Sequence, residues 1–153
     1  DLSHLDHIVY DLNRSLDPST WPDVDVPFTL IVCAETIEHL STAPEFTFAM
    51  LSTLLQPGGF ILVTTPNAVS VHKRLLMLMG RNPFERLRYY PLNPGDFRQY
   101  TQNEVKEMAL RIGLDVEECG TVNFLTSRFR SIRLLKRIPG LRDSILAVLS
   151  RGQ

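Results

Sequence analysis

The sequence of 153 residues contains only two cysteines, Cys33 and Cys119. Two cannot build a disulfide framework, and their spacing fits no zinc motif, so a reducing, cytoplasmic setting is the expectation. No uninterrupted apolar run approaches the roughly 20 residues that a transmembrane helix requires. The first residues, Asp1-Leu2-Ser3-His4, lack both the basic and the apolar stretch of a signal peptide. They also lack an initiator Met, so a trimmed or partial chain is expected. A net charge of −1 gives no basic excess and argues against nucleic acid as a partner. Internal repeats and low-complexity tracts are absent. What is present, 44% hydrophobic and 22% charged residues, excludes intrinsic disorder and suits one domain with a sizeable core. The charge is unevenly spread: residues 1–47 carry nine acids and one base, and residues 120–153 carry seven bases and one acid.

Hydrophobic patterning gives the elements. His7-Ile8-Val9-Tyr10 reads as a short strand ending at Asp11. Phe28 to Ala34 is a continuous apolar, β-branched run, which fits a strand buried on both faces. Thr36 to Leu55 reads as helix in two pieces, with Pro44 in the first turn of the second and Phe48, Leu51, Leu54 and Leu55 on one face. Pro57-Gly58-Gly59 marks a turn, and Phe60 to Thr65 a second buried strand stopped by Pro66. Residues 68–80 form a helix. Thr101 and Glu104 form a capping box for a helix that ends near Gly113. Leu114 to Cys119 alternates like a half-exposed strand, 127–138 reads as a basic helix, and Ser144 to Ser150 as a last strand. Buried strands alternating with helices predict an open, mostly parallel α/β sheet. Ligands then sit at the carboxyl ends of the strands, at Asp11-Leu12, Cys33 to Glu35 and Thr65 to Asn67.

Three segments, in this order and spacing, resemble the class I S-adenosylmethionine-dependent methyltransferases. Phe28 to Leu40, with its Glu38-His39 pair, is similar to that family's fourth strand and following helix. Leu55 to Asn67 is similar to its fifth strand, which ends in Thr-Pro-Asn. Arg98-Gln99-Tyr100-Thr101 and the helix through Gly113-Leu114 are similar to its late aromatic-Thr segment. The resemblance covers roughly residues 5–120 and includes ubiquinone-pathway-like members. It implies a Rossmann-like α/β fold whose last strand is antiparallel. The family's Gly-rich cofactor loop and its ribose-binding acid have no counterpart here, so the sheet is expected to be incomplete at its N-terminal half. One partial domain, 1–153, is expected, with a lid-like insertion at 68–100 and a basic C-terminal helix and strand at 127–153. Open sheet edges would then invite self-association or pairing with another chain.

The resemblance implies S-adenosylmethionine as cofactor, with Asp11 and Leu12 at the adenine and Cys33, Ala34 and Glu35 along the methionine portion. Cys33 reads as a small buried hydrophobe rather than a nucleophile. Glu35, Glu38 and His39 fall at i, i+3 and i+4, one face of a helix, and could hold a divalent cation. A subset of the family uses this pattern for a metal, and Asp96 matches the position of its fourth ligand. The competing reading is packing and helix N-terminal charge. His39 and His72 are the histidines placed to serve as a base at the carboxyl edge. The expected activity is methyl transfer to a small-molecule acceptor, with N-terminal elements absent from this chain required. The alternatives are a non-catalytic, truncated scaffold and a metal-dependent RNA 2′-O-methyltransferase.

Overall fold

The computed structural model describes residues 7–89, 94–123 and 137–152. Four strands form one sheet: β1 (Phe28–Ala34), β2 (Leu55–Pro66), β3 (Leu114–Val122) and β4 (Ser144–Arg151), in the order β1-β2-β4-β3. β1 and β2 are parallel, and β4 runs antiparallel to both β2 and β3. Three strands therefore point one way and the last strand opposes them, as expected of a Rossmann-like sheet. The helices are α1 (Pro44–Thr53), α2 (Val71–Leu78) and α3 (Gln102–Arg111).

The local sequence explains most of these elements. Pro44 occupies the first turn of α1, where its missing N–H costs nothing. Thr101 accepts from the Glu104 N–H while Glu104 Oε2 accepts from the Thr101 N–H at 2.8 Å, so the capping box that opens α3 is complete. Gly113, at φ 81°, ends that helix in the left-handed region that glycine adopts without strain.

One face of the sheet makes the core. Cys33, Ile61, Val63, Ile145, Ala147 and Leu149 are buried there with Phe48, Leu51 and Leu54 from α1 and Val105, Met108 and Ala109 from α3. The period-2 register explains the selection, since Cys33 pairs with Val63, Val63 with Ala147, and Ile61 with Leu149.

The structure corrects four expectations. Residues 7–10 form no strand; the chain passes directly into a 3-10 helix, Leu12–Leu16, with Asp11 as its N-cap. β1 is not covered on both faces, because Phe28, Leu30 and Val32 are exposed. β1 has a strand neighbour on one side only among the described residues. The segment Thr36–Leu55 holds only a 3-10 turn, Ile37–His39, and α1, and Leu55 already belongs to β2. Pro57-Gly58-Gly59 lies within β2 rather than before it, with Gly58 at φ 74° and the pairing shifting between Phe28 and Leu30. The expected basic helix at 127–138 lies almost wholly outside the described residues.

Candidate active site

The carboxyl ends of β1 and β2 lie side by side, Ala34 opposite Thr64. Immediately after β1 the backbone of Glu35 takes φ 47°, the left-handed region, although Glu35 is not glycine. Such a residue costs on the order of 1–3 kcal/mol and persists where the surroundings over-determine it. Here the Glu35 N–H donates to the Thr64 carbonyl at 2.8 Å, and Thr36 Oγ1 donates to the Ala34 carbonyl at 2.8 Å. This bend starts the 3-10 turn that carries Glu38 and His39.

Glu38 is 2% exposed. Its Oε2 accepts from the hydroxyl of Thr65, on β2, at 2.8 Å. Burial raises the Glu38 pKa above the carboxylate range; hydrogen bonds, including the Thr65 hydroxyl, oppose the rise, and the Glu35 charge adds to it. The Glu38 carbonyl accepts the N–H of Phe97 at 2.8 Å, which fixes the segment after α2 against this turn. His39 faces the same segment: Nδ1 lies 3.1 Å from the Gly95 carbonyl oxygen and 3.5 Å from Asp96 Oδ1. Both neighbours can only accept, so Nδ1 carries a hydrogen, and Nε2 lies 4.0 Å from Glu38 Oε1.

The polar chain continues. Gln99 Nε2 donates to Asp96 Oδ2 at 2.5 Å, and Lys73 Nζ donates to Gln99 Oε1 and, at 2.7 Å, to the carbonyl of Asn67 at the end of β2. Burial lowers the Lys73 pKa, against the pull of Asp96, Asp143 and Glu35. Asn67 is itself buried, with Nδ2 on the carbonyls of Gly140 and Arg142 and a parallel bridge to Tyr100. Thr65, at a strand end where patterning placed ligands, thus belongs to the site, and so do Lys73 and Gln99, to which patterning assigned no role. The signal for Thr65 and Asn67 was the Thr-Pro-Asn end of the strand.

Of the residues expected from sequence, the structure brings Glu38, His39 and Asp96 together. Glu35 stays exposed, outside the turn, because the 3-10 geometry and its own left-handed backbone break the i, i+3, i+4 face. Among the described residues no group of three His, Cys, Asp or Glu side chains is placed to hold a metal ion. His72, on α2, is exposed. Cys33 is buried and its thiol is pushed up to about 11, chiefly by burial, so it is no nucleophile. Asp11 Oδ1 accepts from Asn13 N and Nδ2, and Asn13 Oδ1 accepts from Ser41 N and Oγ, each at 2.8 Å. Asp11 and Leu12 are therefore tied to the loop that follows the 3-10 turn, and Leu12 packs on the core.

The match to known proteins decides the family. Residues 3–119 match the family described as "Methyltransferase domain". The chain belongs to that family. No curated protein matches it. The fold is that of class I methyltransferases. It is similar to the magnesium protoporphyrin IX methyltransferase of Synechocystis PCC 6803 with bound SAH, at TM-score 0.51 and 12% identity over 95% of this chain and 50% of that one. A methyltransferase complex of Haloferax volcanii with the Trm112 activator gives TM-score 0.59 and 13% identity over 100% of this chain and 64% of that one. An S-adenosylmethionine-dependent methyltransferase of Clostridium acetobutylicum gives TM-score 0.56 and 13% identity over 95% and 64%. The chain thus spans about half to two thirds of the length of these structures.

The cofactor of such enzymes finds a partial match in this methyltransferase domain. Asp11 retains a carboxylate oxygen and Leu12 an apolar surface, which suits an adenine edge and face, and Ala34 and Glu35 are exposed at a strand end. The sequence holds no GxGxG for the methionine end and no acid aligned with the ribose-binding position. No helix among the described residues is long and apolar enough to cross a membrane.

Proposed function

We infer that this methyltransferase domain takes part in methyl transfer from S-adenosylmethionine to a small-molecule acceptor. In this reading Asp11 and Leu12 meet the adenine and Cys33 to Glu35 line the methionine portion. The groups that grip the ribose and the methionine terminus come from residues outside these 153. The observation that carries the reading is the family match over residues 3–119, which takes in every one of these positions. His39, its Nδ1 held by Gly95 and Asp96, is the candidate to accept the proton of an acceptor hydroxyl through Nε2. The segment 68–100 serves as the cover of the acceptor side. Both cysteines are free, which agrees with a reducing, cytoplasmic setting.

Calorimetric titration of the chain with S-adenosylhomocysteine tests the proposal. Binding that Asp11→Ala weakens is the expected result; a Kd of about 100 µM would correspond to roughly −5.5 kcal/mol. No heat of binding up to millimolar ligand would show that the contacts assigned to this chain do not hold the cofactor by themselves, and would favour the second reading, a non-catalytic fragment or scaffold. The missing Gly-rich loop is the observation that favours that second reading.

A further inference from the structure

Two side chains that the proposed mechanism does not use, Lys73 and Gln99, end against the carboxylate that holds His39. The fold brings them there. A parallel bridge joins Asn67 to Tyr100, and the Ala68 N–H donates to the Tyr100 carbonyl at 2.9 Å. The two ends of segment 68–99 therefore meet at the carboxyl end of β2, and Lys73 on α2 reaches Gln99. On either side of Asp96 the backbone is already fixed. The Gly95 carbonyl lies on His39 Nδ1, and the Phe97 N–H donates to the Glu38 carbonyl. What this pinning leaves open is the rotation of the Asp96 side chain. Gln99 Nε2 holds one of its oxygens, Oδ2, at 2.5 Å, while the other, Oδ1, faces His39 Nδ1 at 3.5 Å. The amide of Gln99 has one workable orientation. An ammonium can only donate and a carboxylate can only accept, so Gln99 gives its oxygen to Lys73 and its NH2 to Asp96. Lys73 is anchored in turn by the Asn67 carbonyl at 2.7 Å. Burial lowers the Lys73 pKa, and of the charges that oppose this fall Asp96 comes first, so the two ends of the array sense each other.

We propose that Lys73 and Gln99 are positioning residues for His39 and act on it through Asp96. The ammonium donates to the amide oxygen, the amide nitrogen donates to one carboxylate oxygen, and the other carboxylate oxygen faces the imidazole Nδ1–H. Every link joins a donor to an acceptor in the same sense, so the array has a single polarity from Lys73 to His39. In a histidine the hydrogen bond at one ring nitrogen decides which nitrogen carries the hydrogen. An aspartate held beside Nδ1 keeps the hydrogen there, directs Nε2 to the substrate, and stabilises the ring once it has taken a proton. The inference rests on the reading of His39 as the proton acceptor. The array itself is complete without cofactor or acceptor, so it can be measured apart from that reading.

Nitrogen-15 NMR of the imidazole rings in the full chain, with no ligand added, is the test. Long-range proton–nitrogen spectra at alkaline pH compare the rings in their neutral forms and give the ratio of Nδ1–H to Nε2–H. The signals of His39 are those that His39→Gln removes. In the unsubstituted protein His39 should be mainly Nδ1–H. Gln99→Leu and Lys73→Met should each move the ratio toward Nε2–H by about threefold to tenfold. In an Asp96→Ala background Gln99→Leu should add nothing, because its effect runs through Asp96. A role in folding alone would give the same shift in both backgrounds. That result, a ring that is mainly Nε2–H, or a ratio that neither substitution moves would overturn the proposal. Gln99 is only half-buried, so its variant decides the matter if Lys73→Met does not fold. Failure of S-adenosylhomocysteine to bind while the ratios behave as expected would count against the cofactor contacts alone.

Discussion

The Thr65–Glu38 hydrogen bond offers the most direct check on the site. Thr65 is fully buried, its hydroxyl is 2.8 Å from Glu38 Oε2, and Glu38 is itself almost inaccessible. Thr65→Val keeps the shape and removes the donor. With Glu38 ionised, the lost bond is charge-assisted and the carboxylate stays buried without it, a penalty of about 1.5–3 kcal/mol. With Glu38 protonated the bond is an ordinary one, about 1 kcal/mol. For a domain of this size each kcal/mol lowers Tm by about 2–4 °C, so Thr65→Val should lose about 3–12 °C at pH 8. At pH 4.5 it should lose about 2–4 °C. The pH dependence of the unmutated protein follows from proton counting. Burial raises the Glu38 pKa, so the folded chain holds this proton to higher pH than the unfolded chain. Between the ordinary carboxylate range and the raised value, the Glu38 contribution to stability therefore falls as pH rises. Glu38→Gln should remove that fall, and in its presence the cost of Thr65→Val should no longer depend on pH. Thermal and urea unfolding of the four proteins at both pH values measure all of this. An equal cost of Thr65→Val at pH 8 and pH 4.5 would show that Glu38 does not ionise against Thr65, and the electrostatic account of the site would fail.

Two further outcomes follow from burial and backbone geometry. Burial raises both thiol pKa values, that of Cys33 to about 11, so iodoacetamide at pH 8 should modify neither quickly in the folded protein. Cys119, only half-buried, should react before Cys33, and both should react freely in guanidinium, with the adducts counted by mass spectrometry. A Cβ at Gly59 would lie 3.0 Å from the carbonyl oxygens of Gln56 and Phe28, both backbone atoms that cannot yield. Gly59→Ala should therefore destabilise by about 1–3 kcal/mol. Gly120→Ala, which meets nothing within 4 Å and needs no positive φ, should be neutral or stabilising by up to about 1 kcal/mol in the same urea titration.

What the sequence made legible is what local chemistry decides. The capping box of Thr101 and Glu104 needs only four residues, and it formed as read. The uncharged runs at Phe28 and Phe60 became parallel strands because their β-branched residues suit a pleated surface. Burial of β1 was not legible, since an unbroken apolar run looks the same whether one face or two are covered. Ile8-Val9 reads as a strand by composition, yet Asp11 caps a 3-10 helix at once and Tyr10 turns its hydroxyl to Thr20. In the site, the pairing of Glu38 with His39 could be read but its geometry could not. Spacing predicts an α-helical face, and a single left-handed residue, Glu35, replaces it with a 3-10 turn. Lys73 and Gln99 are 26 positions apart, and only the fold brings them into contact.

The bend at Glu35 has a consequence for engineering the domain. A side chain held in left-handed backbone is a loaded spring, and glycine is the residue that unloads it. Glu35→Gly should relax that strain while deleting a carboxylate that adds a minor part to the rise of the Glu38 pKa, which burial chiefly causes, and a minor part to the resistance of Lys73 to its burial-driven fall. Ease of folding and a small part of the electrical setting of Glu38 and Lys73 thus meet at one position. A variant library selected for stability alone would drift toward glycine there and retune both buried groups without touching either.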